Sequence, residues 1–166
     1  MTATPHAGAA DVEITHPSDT ETRVRRRFAH TPAALFRAWT EPDLVRSWWP
    51  SRGEMSVCEI DLRPGGAWRW GYTNPEHDVE LVYSGIYREI TEPSRLAFSE
   101  AFEMMPGSDY ENVITFEEVD GGTLVTEHMT YSSQEWRDGH RAHGFDNGIS
   151  EAFIRIERLL ASRGIV

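Results

Sequence analysis

The chain has 166 residues, enough for one domain with a substantial core. Its 27 acidic residues outnumber 16 basic ones, a formal charge of −11, so the basic footprint of a nucleic-acid binder is missing. Every basic residue is arginine and Cys58 is the one cysteine, which removes lysine Schiff-base chemistry, the phosphate-loop lysine, disulfides within the chain and multi-cysteine zinc sites. No apolar run is long enough for membrane insertion, and no basic start leads into an apolar segment. The expected location is the cytoplasm. Six tryptophans suit a pocket wall and a filled core equally well.

Residues 1–20 read as a mobile tail with a short sticky stretch at Val12–Ile14, and residues 21–166 as a single domain. From Glu21, Thr22, Val24, Arg26 and Phe28 alternate with Arg23, Arg25 and Arg27, the pattern of a first strand with a charged outer face. Thr31-Pro32 caps and opens a helix whose apolar side is Leu35, Phe36 and Trp39. Glu41-Pro42 restarts a second short helix ending at Trp48-Trp49-Pro50.

Six further strands are predicted, with Gly, Pro and Asp turns between them: Met55–Asp61, Ala67–Tyr72, Val79–Ile90, Arg95–Phe102, Tyr110–Val119 and Thr123–Tyr131. The short turns imply an antiparallel meander. Ser132-Ser133 then caps a helical stretch to about Ser162. Phe145, Ile149, Ala152 and Ile156 make its apolar stripe, and Gly144 marks a break or kink. The fold class is therefore α+β. A curved sheet of six to seven strands carries two short helices after its first strand, with a long C-terminal helix across it and a cavity between.

Several stretches resemble one family. They are Phe36-Arg37-Ala38-Trp39-Thr40-Glu41-Pro42, Trp48-Trp49-Pro50, Cys58-Glu59-Ile60-Asp61-Leu62-Arg63-Pro64-Gly65-Gly66, Gly85-Ile86-Tyr87-Arg88-Glu89-Ile90, and Trp136-Arg137-Asp138-Gly139 with Gly144 and Gly148. From about Thr22 to Ala161 the chain resembles the SRPBCC or START-like superfamily, and within it the bacterial homologues of the activator of the heat-shock-protein-ninety ATPase. The resemblance implies a helix-grip fold with a cavity between sheet and C-terminal helix. It does not imply one activity, since members resemble lipid carriers, hormone receptors, polyketide cyclases and co-chaperone domains. In the eukaryotic activators a chaperone-binding domain precedes this one, and the sequence has no room for it, so a chaperone partner is not expected.

Trp48, Trp49, Trp68, Trp70 and Tyr72 are expected nearest the cavity or its mouth, with Trp39, Phe98, Phe102, Phe145, Ile149 and Phe153 completing its wall. Trp48 and Trp49 are adjacent, so at most one faces fully inward. Arg69 shares a strand with the tryptophans but alternates with them. It meets a ligand only if they do not.

Glu100, Glu127 and His128 are the candidate catalytic groups. Glu100 is either a carboxylate in apolar surroundings or a strand-end group in water, and the strand-end position favours the second. Aligning Val125, Glu127 and Met129 inward, as the family pattern suggests, turns Glu127 to the cavity and His128 to solvent. His140 and His143 have a helical spacing that two metal ligands can share, but no acidic ligand accompanies them, and an exposed helix face is the preferred reading. No metal and no cofactor are expected.

Three functions fit. The first is a non-catalytic carrier or sensor for a small apolar or aromatic molecule. The second is a cyclase, aromatase or hydrolase-like enzyme using a pocket Glu or His. The third is a chaperone-associated interaction module. Convergent ionisable groups favour the second, and a filled cavity favours the third. Free strand edges allow a homodimer, and the oily Met104-Met105 loop reads as a lid.

Overall fold

A computed structural model of the protein describes residues 12–166. Residues 1–11 of the expected tail lie outside the described residues. Strands β1 (Glu13–Thr15) and β2 (Glu21–Phe28) come first, followed by helices α1 (Pro32–Thr40) and α2 (Pro42–Trp48). Six strands follow: β3 (Met55–Ile60), β4 (Ala67–Asn74), β5 (Val79–Thr91), β6 (Arg95–Phe102), β7 (Tyr110–Val119) and β8 (Gly122–Thr130). The chain closes with α3 (Gln134–Ala142) and α4 (Phe145–Ser162).

All eight strands form one antiparallel sheet in the order β1-β2-β8-β7-β6-β5-β4-β3. β3 to β8 run as the expected meander, and β2 lies against β8. The extra strand is β1, inside the segment expected to be a tail. Ile14 pairs with Val24 there. Three residues are too few to show a period, so pairing with β2 is what orders them.

The sheet curves where its ladders slip, between Met55 and Val57 on β3 and between Tyr87 and Glu89 on β5. Such irregularities bend a strand and increase its twist. The Gly65-Gly66 turn is tied to β5 in the same region. Gly65 N–H donates to the Tyr87 carbonyl at 2.8 Å, and Tyr87 N–H donates to the Gly66 carbonyl at 2.9 Å. On the inner face, Gly85 allows β6 to approach closely. A Cβ there would sit 1.7 Å from the Ser99 carbonyl oxygen and 2.7 Å from Trp68 Nε1. The Trp68 ring uses that space and donates Nε1–H to Ser99 O at 3.1 Å.

α4 lies across the concave face, with Phe153, Ile156 and Leu160 fully buried. Burial of each such side chain contributes about 2–3 kcal/mol. Phe153 meets Phe28 edge-on at 5.5 Å and Trp39 at 6.0 Å, which joins helix, sheet and α1. α1 is capped by the Thr31 hydroxyl, which accepts from Ala34 N–H at 3.2 Å, and it begins with a proline. Arg26 points inward and is 2% exposed. Its guanidinium meets Glu157 of α4 at 2.5 Å and lies 4.5 Å over the Phe28 ring. Glu157 also accepts from Ala29 N–H at 3.2 Å. This is the helix-grip fold.

The expected helical stretch is divided into α3 and α4 at Gly144. Its φ of 89° lies in the left-handed region that a Cβ disfavours.

Candidate functional site

The concave sheet leaves a cavity of about 400 Å³ that α4 does not fill. A second chamber of about 270 Å³ adjoins it, sharing Tyr83, Glu100, Tyr110, His140 and Phe145 as walls. The indole wall of the larger chamber is built by edge packing. Trp70 meets Trp48 at 5.8 Å, Trp49 at 5.7 Å and Trp68 at 5.4 Å, each at a steep angle. Trp48 is buried and donates Nε1–H to the Ala38 carbonyl at 2.7 Å. Its neighbour Trp49 is only partly buried and stands against Tyr72 and Tyr83. Trp39, Phe98, Ile149 and Phe153 line the same chamber, Phe145 lines both, and Phe102 lines the smaller one, stacked on Tyr83 at 5.0 Å.

Arg69 leaves through the other face of β4 and pairs with Glu103 at 2.9 Å. The two exclusive sequence readings are thereby separated: tryptophans inside, Arg69 outside. Met105 lines the smaller chamber, and Met104 and Met105 remain largely exposed.

One part of the wall is polar. Strand alternation sends Val125, Glu127 and Met129 inward from β8, and the register sets Glu127 opposite Ile114 and Met129 opposite Asn112. Asn112 Nδ2 donates to Glu127 Oε1 at 2.7 Å. Burial raises the Glu127 carboxyl to about 6, and the Asn112 amide partly opposes the rise. Two buried acceptors, Glu127 Oε2 and Asn112 Oδ1, have no hydrogen-bond partner among the described residues. Trp70 Nε1 is the corresponding donor on the indole wall.

Glu100 lies on β6 opposite Tyr110 of β7 and lines both chambers. This corrects the preferred strand-end reading. β7 pairs with β6 as far as that residue, and the start of α4 stands across the chambers that Glu100 lines. Burial, then the neighbouring Glu127 charge, raises the Glu100 carboxyl to about 8. Near neutral pH the pair is therefore divided, with Glu127 mainly ionised and Glu100 mainly protonated.

His128 is the candidate that the fold removes. It faces out from β8 and contacts Glu21 Oε2 through Nε2 at 2.5 Å, on the side of the sheet away from the cavity. His140 is a second correction, since it is partly buried rather than on an exposed helix face. Its Nδ1 shares a 2.5 Å hydrogen bond with the Tyr131 hydroxyl, and its ring packs on Phe145 at 4.4 Å and Tyr110 at 5.4 Å. Burial and the nearby His143 lower it to about 4, so the imidazole is neutral. Burial also raises Tyr83, to about 12, and the Tyr131 hydroxyl. Among the described residues no three metal-ligating side chains gather into a set.

Asn112, Tyr110 and Tyr131 were not singled out from the sequence. Asn112 did carry a signal, since it shares an alternation with Ile114 and Phe116 and so sits as a polar residue on an apolar face.

The comparisons with known proteins agree with this architecture. The chain belongs to the Activator of Hsp90 ATPase homolog 1-like family, whose model matches residues 29–161. Among solved structures, a Rhodobacter sphaeroides protein is 28% identical with a TM-score of 0.84, covering 90% of this chain and 98% of its own. A Mycobacterium smegmatis protein is also 28% identical, with a TM-score of 0.79 and coverages of 90% and 96%. One from Nitrosomonas europaea is 25% identical, with a TM-score of 0.80 and coverages of 90% and 99%. No curated protein matches the chain. Among the described residues no helix is long and apolar enough to cross a membrane.

Proposed function

We propose that the protein binds a small, largely apolar or aromatic molecule in this cavity and acts as a carrier or sensor in the cytoplasm. The observation that carries the reading is an indole-walled space of about 400 Å³ with a short polar stretch. Apolar walls supply affinity and a few placed polar atoms supply orientation, the usual division of labour in small-molecule sites. Native mass spectrometry of protein purified from its host, followed by denaturing extraction, tests it. A stoichiometric compound with an aromatic or aliphatic body is expected. A compound bound elsewhere, with Trp70→Ala leaving its occupancy unchanged, overturns the reading.

The divided carboxyl pair favours a second reading, in which the bound molecule is also a substrate. Ionised Glu127 takes a proton from a C–H beside a carbonyl, and protonated Glu100 gives its proton to the carbonyl oxygen, forming the enol. Incubating the extracted compound with protein in D2O checks this. Deuterium entering the acidic C–H position, and failing to enter with Glu127→Gln, supports catalysis. Equal exchange with and without protein returns the cavity to binding alone.

A further inference from the structure

The polar stretch of the cavity is one-sided in its chemistry. Asn112 turns its donor to Glu127 Oε1, which leaves Asn112 Oδ1 and Glu127 Oε2 as buried acceptors. Both residues are more than nine-tenths buried, at 2% and 7% exposed, and both line the larger chamber. Glu100 adds a second carboxyl on the same inner face. Among the described residues, no arginine or histidine forms an ion pair or hydrogen bond with either carboxyl.

The arginine lining the chamber is Arg155. It donates Nε–H to the Trp48 carbonyl at 2.9 Å. Arg137 is occupied by the Ser18 carbonyl and Asp138. Asp146 holds Arg141, and His143 Nδ1 lies 2.6 Å from the Gly139 carbonyl. Two carboxyls and an amide oxygen therefore gather in an apolar enclosure without a balancing positive charge, and aromatic faces flank them.

We infer that the molecule bound in this cavity carries a protonated amine, seated among Glu100, Asn112 and Glu127, with its apolar body against the indole wall. The inference rests on the cavity-binding reading and adds the chemical class of the ligand. An ammonium group brings several donors and no acceptor, which complements the unpartnered oxygens of Glu100, Asn112 and Glu127. A charge-assisted hydrogen bond to a desolvated carboxylate is among the stronger polar contacts, and ring faces stabilise a nearby cation. A carboxylate or phosphate ligand would instead meet like charge.

Amine binding must also expel a proton. Glu100 is mainly protonated at neutral pH and ionises when a cation arrives. Of the groups facing it, Tyr83 and Tyr131 are held protonated and His140 neutral, Glu127 titrates at about 6, and His143 lines both chambers from the end of α3, so proton release is read at pH 7.5, above the Glu127 step.

The test uses three probes of nearly one shape: biphenyl-4-ylmethylamine, biphenyl-4-ylmethanol and biphenyl-4-carboxylate. Calorimetric titration into the full chain at pH 7.5, in two buffers of different ionisation enthalpy, gives affinity and proton release together. The amine is expected to bind roughly tenfold or more tighter than the alcohol, as one charged hydrogen bond implies, and to release protons. Glu127→Gln and Glu100→Gln should each shrink the amine-to-alcohol ratio, and a cooperative melting transition in each variant shows that it is folded. An amine no tighter than the alcohol, or a ratio unmoved by both substitutions, overturns the amine inference and leaves the cavity reading standing. Failure of all three probes to bind overturns both.

Discussion

Two carboxylate sites lie under the same sheet and are treated in opposite ways. Glu157 of α4 meets the buried Arg26 guanidinium and accepts the Ala29 N–H, so its charge is balanced where α4 closes on β2. Glu127 has one amide donor for two oxygens, and the partly buried Glu100, which lines both chambers, pairs with no arginine or histidine among the described residues. The first arrangement fixes a helix to a sheet. The second keeps unsatisfied polar capacity inside an apolar enclosure, which destabilises the fold while leaving something for a ligand to satisfy.

The comparison breaks most visibly at Arg26. Arg26→Ala leaves Glu157 without its cation and should destabilise the protein by about 3–5 kcal/mol in urea unfolding. A variant that loses under 1 kcal/mol would mean the pair does not fasten α4.

At the cavity the sign reverses. Both carboxyls bind protons more tightly folded than unfolded, so their stabilising contribution is complete below about pH 4.5. It declines as pH rises through about 6 for Glu127 and about 8 for Glu100. Melting temperature should therefore fall between pH 5 and 9. Glu127→Gln should recover about 2 kcal/mol at the upper end, or roughly 4–8 °C for a chain of this size. Glu100→Gln should recover at least as much, because its carboxyl is raised further and has no hydrogen bond to lose. A stability that climbs steadily over that range would contradict the burial assigned to the pair.

The smallest effect belongs to the outer face. The His128–Glu21 contact is solvent-screened, so His128→Ala should change stability by under about 0.5 kcal/mol and leave probe binding unchanged. Loss of binding in that variant would show that the outer face communicates with the cavity.

The element order, the meander and the helix break at Gly144 were legible because each has a local cause: a cap, a tight turn, a glycine. The inward set Val125, Glu127 and Met129 was legible for a related reason, since alternation along β8 follows from strand geometry. What escaped was set by distant partners. β1 exists only through its pairing with β2. His140 owes its burial to Tyr110, Tyr131 and Phe145, which no helical spacing reveals. Glu100 was misjudged because the end of a strand is exposed or enclosed according to what passes over it, and its cover comes from elsewhere in the chain.

Gly85 has a consequence for which molecules fit. The space that its side chain would fill is occupied by the Trp68 ring and the Ser99 carbonyl. A methyl group added there must displace either β6 or the indole, and the indole lines the cavity. The capacity of the chamber is thus set partly by an atom that is missing from its wall. Bulk added at residue 85 would act as a size filter, excluding the largest guests first while the carboxyl pair stays unchanged.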